Sequence, residues 1–320
     1  MKKWLLLFAF IGNLACHQKS ARAVPVIGFV DAFQDNTIEQ AKTGFVDALR
    51  NNGFDESKGN LKIIYRNAQG NIPTLTQIVK YFISQQVTLI AANPSLSTIT
   101  AIQNTKDIPV FMMVSPTPAL MKINDAAGKA PSNLFGVGET LDYIDTSFLL
   151  IPKLVRPRSG QLTVGMIYNQ SEPQSVESME RIRKLASGNQ VNLVAQPVNS
   201  TADVQLVTAS LLSKNIDVFF ANPDNVVFGS FETILQSCNQ KNIPVFTSEA
   251  GLVERGALAA YGADIYQWGY QAGEEAAKFL KAGNTTGLQW QMVRIRKKVY
   301  NPAALKKFGL SIPSDFQPIQ

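Results

Sequence analysis

Short apolar runs alternate with segments of helical spacing along the chain. The runs at 26–30, 62–65 and 87–92 lack polar alternation, which indicates parallel strands buried on both faces. The segments at 36–50 and 76–84 place apolar residues three or four positions apart, which predicts helices between these strands. The pattern therefore predicts an α/β fold in which right-handed crossovers place helices on both faces of a parallel sheet.

The same pattern occurs twice. A second series of strands and helices begins with the apolar run at 163–168. The sequence Ala-Asn-Pro at 92–94 recurs at 221–223, and Lys-x-Ile-Pro-Val-Phe at 106–111 recurs at 241–246. The order is the same and the spacing is nearly constant, so we interpret the chain as two similar α/β halves.

Further segments follow the second half. A helix is predicted at 265–282, a single strand at 290–296 and a short helix at 302–308. We therefore expect two doubly wound lobes with parallel sheets, linked by several crossovers that restrict motion to hinge bending. The expected crossings lie near 135–140, 260–264 and 289–299. The expected parts are a leader and tether at 1–23, lobe 1 at 24–138 with about 264–290, and lobe 2 at 139–263 with about 291–320.

The N-terminal segment has the organisation of a signal peptide. Two lysines precede an uncharged apolar run at 4–11, which is too short to span a bilayer as a helix. The sequence Asn-Leu-Ala-Cys at 13–16 is similar to a lipoprotein signal, in which the Cys16 thiol takes the lipid. The Ala-Arg-Ala sequence at 21–23 is a second cleavage pattern. We expect an extracytoplasmic protein, tethered by lipid at Cys16 or free after cleavage, with an uncleaved anchor as the third alternative.

Charge adds little to the picture. The chain of 320 residues has 30 Lys and Arg against 24 Asp and Glu, a formal net charge of +6. Cleavage before Cys16 would remove two lysines and no acid, so part of this charge belongs to the leader. The densest basic cluster, at 294–298, is typical of a solvated strand edge. We expect a monomer that does not bind nucleic acid.

A scarcity of histidine and cysteine restricts the chemistry. The only histidine, His17, and one of the two cysteines, Cys16, lie in the leader, which leaves Cys238 as the single cysteine of the body. A Ser-His-Asp triad, a Cys-His dyad, a His-ligated metal site and an intramolecular disulfide are then excluded. The Gly-Val-Gly sequence at 136–138 lacks the third glycine of a dinucleotide-binding loop. We expect no catalysis, no metal and no cofactor.

Several motifs over most of the mature chain resemble the substrate-binding components of ABC transporters, in the branch whose known ligands include tryptophan, tyrosine and phenylalanine. Tyr-Arg-Asn-Ala-Gln-Gly at 65–70 is similar to a Tyr-x-x-Ala-x-Gly strand end of that family. The loop at 167–175 is similar to its most specific loop, with Gln174 where Asn is commonest. The segments 223–226 and 256–273 also match.

The resemblance implies a periplasmic binding protein-like type I fold that closes its cleft on a small solute and docks on a membrane permease paired with an ATPase. It leaves the ligand open. The first-lobe loop departs from the family, because Asn-Pro-Ser at 93–95 stands where Thr-Pro or Ser types are common.

An amino acid in such a cleft needs an anion site. The N–H groups at a helix N-terminus favour a carboxylate. Ser95, Ser97 and Thr98 begin a predicted helix directly after a strand. We expect these residues either to bind the carboxylate or to act as plain N-caps.

The ammonium of the ligand needs a carboxylate. Asp224, with Asn225 beside it, follows a strand of the second half and is the first candidate, although it is also a plausible capping residue. Glu172 is the competing acid, or else a residue that shapes its loop.

Flat, rigid side chains would form the apolar wall of the pocket. Phe33 and Tyr168 are candidates for this wall or for the core. The remaining candidate contacts lie at strand ends or in the loops that follow them: Asp31, Gln69, Asn93, Ser171 and Glu249.

The sequence analysis therefore favours the binding component of an ABC importer whose ligand is an aromatic or apolar amino acid or a derivative. The alternatives are a ligand-sensing module for a membrane receptor kinase and a binder of a different small solute. An enzyme is the third class, and the missing histidine argues against it.

Overall fold

The computed structural model describes residues 23–319. The predicted leader, with Cys16 and His17, lies outside these residues. Within 23–319, no helix combines the length and the apolar character needed to cross a membrane.

Strands and helices alternate as the hydrophobic pattern predicts. The strands are β1 (Val26–Asp31), β2 (Lys62–Asn67), β3 (Leu89–Asn93), β4 (Val110–Pro116), β5 (Leu134–Glu139), β6 (Thr163–Asn169), β7 (Asn192–Val198), β8 (Val218–Ala221), β9 (Val245–Thr247), β10 (Ala259–Ala263), β11 (Gln291–Met292), β12 (Arg296–Tyr300) and β13 (Gln317–Pro318). The helices are α1 (Asn36–Asn51), α2 (Ile72–Ser84), α3 (Ser95–Asn104), α4 (Tyr143–Leu154), α5 (Pro173–Gly188), α6 (Val204–Leu212), α7 (Asn225–Gly229), α8 (Phe231–Gln240), α9 (Ala250–Glu254), α10 (Ile265–Ala282) and α11 (Pro302–Phe308).

Two parallel sheets organise the chain into two lobes. The first sheet has the strand order β11-β5-β4-β3-β1-β2, and the second has the order β7-β6-β8-β9. The central strands β3 and β8 are buried along their whole length, whereas the edge strands β2 and β7 are half-exposed. The prediction of an α/β fold with parallel sheets is confirmed. The sequence did not predict the small third sheet, in which β12 pairs antiparallel with β10 and parallel with β13.

Each main sheet buries an apolar cluster on either face. In the first lobe, α1 and α10 cover one face and α2 and α3 the other. In the second lobe, α6 to α9 cover one face, and α4, α5 and α11 cover the other. Aromatic rings interlock within these clusters, as where Phe148 and Phe220 meet edge to face at 5.7 Å between ring centroids.

Between residues 23 and 319, the chain passes between the lobes three times, after β5, after β10 and after β11. The single strand predicted at 290–296 is wrong, because two short strands lie on either side of the last crossing, which falls in the segment 289–299 where a crossing was expected. Strand β11 pairs with β5 in the first sheet, and β12 pairs with β10 beside the second. The segment 135–140, expected as a crossing, is mostly β5, and the crossing begins at the end of that strand.

Glycines allow α1 and α10 to pack backbone against backbone. A Cβ added at Gly44 would lie 2.0 Å from the carbonyl oxygen of Tyr266. A Cβ at Gly269 would lie 1.9 Å from the carbonyl oxygen of Ala41. Neither contact is possible for a real side chain, so this helix pair and the first-lobe core beneath it depend on the two glycines.

We expect Gly269→Ala to lower the free energy of unfolding by about 1–3 kcal/mol, because the added methyl group forces α1 and α10 apart. The matched control is Gly188→Ala at the end of α5, where an added Cβ meets nothing within 4 Å. That control should be neutral or stabilising by about 0.5–1 kcal/mol. Urea denaturation measures both values, and equal unfolding midpoints would contradict the close packing of α1 and α10.

Candidate ligand-binding cleft

A cavity of about 50 Å³ lies between the two lobes, where strands of both sheets end. This is the position at which parallel sheets bind ligands. Its apolar wall is formed by Ile38, Val114, Pro116, Leu141, Pro223, Phe228 and Trp268. Its polar lining is formed by Ser95, Ser115, Glu139, Thr140, Tyr143, Gln174, Asp224, Asn225 and Glu249. The volume is far below the roughly 300–1,000 Å³ of typical ligand pockets, so the lobes are close together.

Strand β4 reaches the cavity through an irregularity. Its register against β5 shifts between Met112 and Ser115, and Val114 within the shift has φ of 48°. A β-branched residue adopts this left-handed conformation only at a cost in energy. Val114, Ser115 and Pro116 all line the cavity, whereas a regular strand would point alternate side chains to opposite faces. The strain therefore lies in the segment that forms the wall of the cleft.

The two lobes are joined across the cavity by direct hydrogen bonds. The Oγ atom of Ser95, on the first lobe, accepts from Nε2 of Gln174 at 3.1 Å and from Nδ2 of Asn225 at 3.2 Å. Ile38, on α1 of the first lobe, is buried within the apolar cluster of the second lobe that contains Phe228. The cleft is therefore closed.

A salt bridge also joins the lobes. Nη1 of Arg255, which follows α9, lies 2.6 Å from Oδ2 of Asp35, which caps the N-terminus of α1. Arg255 is held for this contact by Glu232 on its own lobe and by the ring of Phe231, whose centroid lies 5.3 Å from the guanidinium carbon. The Asp35 side chain is 2% exposed, so the pair is shielded from solvent in the closed form.

Asp224 is a helix cap. Its Oδ1 accepts from the backbone N–H groups of Val226 at 2.8 Å and Val227 at 3.1 Å, at the start of α7. Its Oδ2 accepts from the backbone N–H of Asn169 at 2.6 Å and from the hydroxyl of Ser175. Burial raises the pKa of Asp224, and these bonds oppose the rise by favouring the carboxylate. Of the two roles left open by the sequence, the structure displays the capping role.

Glu172 organises the amides that cross the cleft. Its Oε2 accepts from Nε2 of Gln174 and from Nδ2 of Asn225, each at 2.6 Å, and its Oε1 accepts from Nδ2 of Asn169 at 2.8 Å. Burial, followed by the negative charge of Asp224, raises the pKa of Glu172 well above its usual value. Glu172 does not line the cavity, so its contacts fit the loop-shaping role.

Glu249 lies on the cavity wall. Its Oε1 accepts from the hydroxyl of Tyr143 at 2.7 Å and from that of Ser248 at 3.3 Å. Burial raises the pKa of Glu249 to about 7, with a further contribution from Glu139. Glu139 itself forms a bidentate pair with Arg296, at 2.9 and 2.6 Å.

Five of the first-lobe candidates lie on or near the sheet end at the cavity, and one of these five lines it. Of the three hydroxyl residues at the start of α3, Ser95 lines the cavity, and α3 has no side-chain cap. Ser97 donates to the carbonyl of Asn93 at 2.8 Å, and Thr98 contacts Ser115 at 3.1 Å. Asn93 donates to Oδ1 of Asp31 at 2.7 Å, and burial raises the pKa of Asp31 to about 6.

Four further sequence candidates also lie outside the lining. Gln69 and Ser171 are exposed, Tyr168 packs against the core cluster of α4 and α5, and Phe33 packs against core clusters of both lobes. A ligand contact by these residues stays a prediction.

Several lining residues were not predicted. Tyr143 and Glu139 lie at the crossing after β5, and Trp268 lies on α10, where its Nε1 donates to the carbonyl of Val137 at 2.8 Å. No local pattern distinguishes them from core residues. The sequence did point to Gln174, since it occupies a position in the loop used to identify the family resemblance.

Among residues 23–319, no group of three or more His, Cys, Asp or Glu side chains is placed to hold a metal ion.

Comparison with known sequences identifies one family. Residues 24–317 match the family model described as ABC transporter substrate binding protein. A tyrosine-binding protein of Clostridioides difficile is 32% identical over 228 residues, which cover 71% of this chain and 64% of that protein. The match therefore spans slightly less than two thirds of the relative's length.

Solved structures share the fold. A conserved domain protein from Vibrio cholerae has a TM-score of 0.81 at 25% identity, with 92% of this chain and 99% of that chain covered. The ligand-free, open structure of a Clostridium difficile substrate-binding protein with adhesive properties has a TM-score of 0.66 at 28% identity, covering 93% and 99%. A Streptococcus pneumoniae ABC domain in complex with L-Trp has a TM-score of 0.79 at 20% identity, covering 91% and 96%.

We expect Glu249 to make stability depend on pH. Its pKa is raised from 4.5 to about 7 on folding. The folded protein therefore binds more protons than the unfolded chain between these values. The contribution of Glu249 to the free energy of unfolding is fully present below about pH 4.5 and is lost as the pH rises through 7, a change of about 3 kcal/mol. Urea unfolding of wild type and Glu249→Gln at pH 4.5 and 7.5 measures it, and parallel pH dependences in the two proteins would contradict it.

Proposed function

Because the chain belongs to the family of ABC transporter substrate-binding proteins, we propose that it is the extracytoplasmic binding component of an ABC importer and closes its cleft on an amino acid with an aromatic or apolar side chain. In this role it binds and releases its ligand without catalysis, and the closed form presents both lobes to a membrane permease paired with an ATPase. A lipid at Cys16 would tether it to the membrane.

The composition of the cavity lining carries this proposal. One wall is apolar, with Phe228 and Trp268 providing flat surfaces for an apolar side chain. The uncapped N-terminus of α3, at Ser95, offers backbone N–H groups to a carboxylate. The carboxyl group of Glu249 lies on the same lining and offers acceptors to an ammonium. An α-amino acid carries an apolar side chain, a carboxylate and an ammonium on one carbon atom, so it has one group for each of these three parts of the lining.

The relatives support the class of ligand. One is named a tyrosine-binding protein, and a protein of the same fold was solved with L-Trp.

The closed cleft supports binding by opening and closing of the lobes. A ligand larger than the cavity must separate Ser95 from the amides of Gln174 and Asn225, so binding requires the lobes to open and close again.

We expect L-tyrosine, L-tryptophan or L-phenylalanine to raise the thermal unfolding midpoint of the protein. A ligand present at one hundred times its Kd adds about 2.7 kcal/mol to the free energy of unfolding, because it binds the folded state only. Differential scanning fluorimetry against the twenty amino acids, short peptides and small sugars measures the effect. A shift produced by sugars alone, with no aromatic or aliphatic amino acid active, would refute the amino-acid ligand.

We expect the salt bridge between Asp35 and Arg255 to set the balance between open and closed forms. Asp35→Asn keeps an N-cap for α1 but removes the charge, so the closed form loses a buried ion pair. Ligand affinity should fall about tenfold, equivalent to about 1.4 kcal/mol, and the radius of gyration of the ligand-free protein should increase.

The matched control is Glu232→Gln, which removes the exposed partner of Arg255 within one lobe and leaves the contact between lobes in place. Calorimetry measures the ligand affinity of both variants, and small-angle X-ray scattering measures their radius of gyration without ligand. Equal affinities and equal radii for Asp35→Asn and wild type would show that the salt bridge does not control closure.

A further inference from the structure

The carboxyl groups around the cavity differ in how many acceptor sites remain free. All of them are buried, so burial does not distinguish them. A ligand ammonium needs an oxygen that the protein has not already used, because displacing an existing donor would leave that donor buried and unpaired. The hydrogen bonds of each carboxyl group therefore decide which one can receive an amine.

Three of the acids are already satisfied. Both oxygens of Asp224 accept from donors that begin α7 and α5 or end β6. Both oxygens of Glu172 accept side-chain amides, and this group lies behind the cavity lining. Both oxygens of Glu139 are engaged by the guanidinium of Arg296. An ammonium at any of these sites would compete with an existing bond.

Glu249 is different, because its hydrogen bonds fall on one oxygen. Tyr143 and Ser248 both donate to Oε1. Within residues 23–319, Oε2 accepts no hydrogen bond, and it is not among the fully enclosed atoms that lack a partner. Glu249 lines the cavity, so one carboxylate oxygen remains available to a ligand there.

Gln174 supplies a second available acceptor. Its Nε2 is oriented by two acceptors, Oε2 of Glu172 at 2.6 Å and Oγ of Ser95 at 3.1 Å. Both contacts are made by the amide nitrogen, so they direct Nε2 toward Glu172 and Ser95 and leave Oε1 on the other side of the amide. Its Oε1 is buried without a hydrogen-bond partner, on a side chain that lines the cavity and is 6% exposed. A buried acceptor of this kind needs a donor.

We propose that Glu249 receives the ammonium of the ligand, that Gln174 Oε1 is the second acceptor for it, and that Tyr143 is the positioning residue that holds Glu249. This inference rests on the proposed amino-acid function and names the amine-binding subsite within it. It also replaces Asp224 as the first candidate for the ammonium.

The charges around Glu249 agree with a cationic group. Tyr143 on α4 stays a neutral donor, because burial and the negative charge of Glu249 raise its pKa well above 10.0. Glu139 on β5 faces the same region, with its charge paired by Arg296 on β12. No lysine or arginine is part of the described cavity lining. A protonated amine therefore meets acceptors and negative charge, without a competing cation.

The assignment links binding to pH. An ammonium favours the ionised form of Glu249, whose pKa in the ligand-free protein is about 7. Affinity should therefore rise about tenfold from pH 6 to pH 8, as the fraction of ionised Glu249 increases. Tyr143→Phe keeps the carboxyl group but removes a hydrogen bond that stabilises its charge, so the same rise should occur at higher pH.

The experiment compares amine and desamino ligands on wild type and Glu249→Gln. Isothermal titration calorimetry at pH 6, 7 and 8 uses L-tyrosine and L-tryptophan, each with the analogue that has hydrogen in place of the α-amino group. Glu249→Gln should weaken amino-acid binding about 10- to 100-fold, and it should change binding of the desamino analogues less than twofold. It should also abolish the pH dependence. Glu180→Gln, on an exposed side chain of α5, is the matched control and should behave as wild type.

The outcomes separate the inference from the function on which it rests. If wild type binds neither amino acid nor any other, the proposed function fails and the amine subsite fails with it. If wild type binds an amino acid and Glu249→Gln weakens it and its desamino analogue equally, only the assignment to Glu249 is overturned. If Asp224→Asn shows the selective loss of amine binding instead, the ammonium belongs to Asp224. Circular dichroism of each variant verifies that the fold is intact, and the Tyr143→Phe profile tests the site without altering the carboxyl group.

Discussion

The arrangement of the cleft depends on one buried carboxyl group, that of Glu172. A buried carboxyl group is tolerated only where hydrogen-bond donors surround it, and the donors here are three side-chain amides and the backbone N–H of Asn225. Two of these amides belong to Gln174 and Asn225, which also donate to Ser95 on the opposite lobe. The hydrogen bonds to Glu172 therefore hold Gln174 and Asn225 in the orientation in which they contact Ser95 on the other lobe. The free Oε1 of Gln174 is a direct result of that orientation.

The buried carboxyl groups have different roles in this protein because different hydrogen-bond donors surround them. Asp224 receives backbone N–H groups from two elements and stabilises the junction of β6, α5 and α7. Glu139 is neutralised by Arg296 where the chain crosses between lobes. Glu249 receives donors on one oxygen only, and burial without a cation raises its pKa to about 7. The acid that is least satisfied within the protein is the one best prepared for a ligand.

The repeated Ala-Asn-Pro sequence has a similar structural role in the two lobes. Asn93 and Asn222 are both fully buried directly after or at the end of a central strand. Asn93 donates to Asp31 and to the carbonyl of Ile38, and so connects β3 with β1 and α1. Asn222 donates to the carbonyl and the hydroxyl of Ser175, and so connects β8 with α5. In both lobes the asparagine fixes the neighbouring helix beside the cleft and does not itself line the cavity.

The sequence by itself determined the local elements and the class of fold, because apolar periodicity reports which face of each element is buried. The helices predicted at 265–282 and 302–308 have those bounds in the structure, and β3 and β8 are the fully buried strands their composition indicates. The strand at 290–296 was misjudged, because pairing partners rather than composition divide it between two lobes. The roles of the acids were also beyond the sequence. Asp224 and Glu249 each follow a strand of the second lobe, and only their partners distinguish them: Asn169, 55 positions away, for the first, and Tyr143, 106 positions away, for the second. Such contacts form when the chain is folded, so the tertiary structure alone decided which carboxyl group is left available in the cleft.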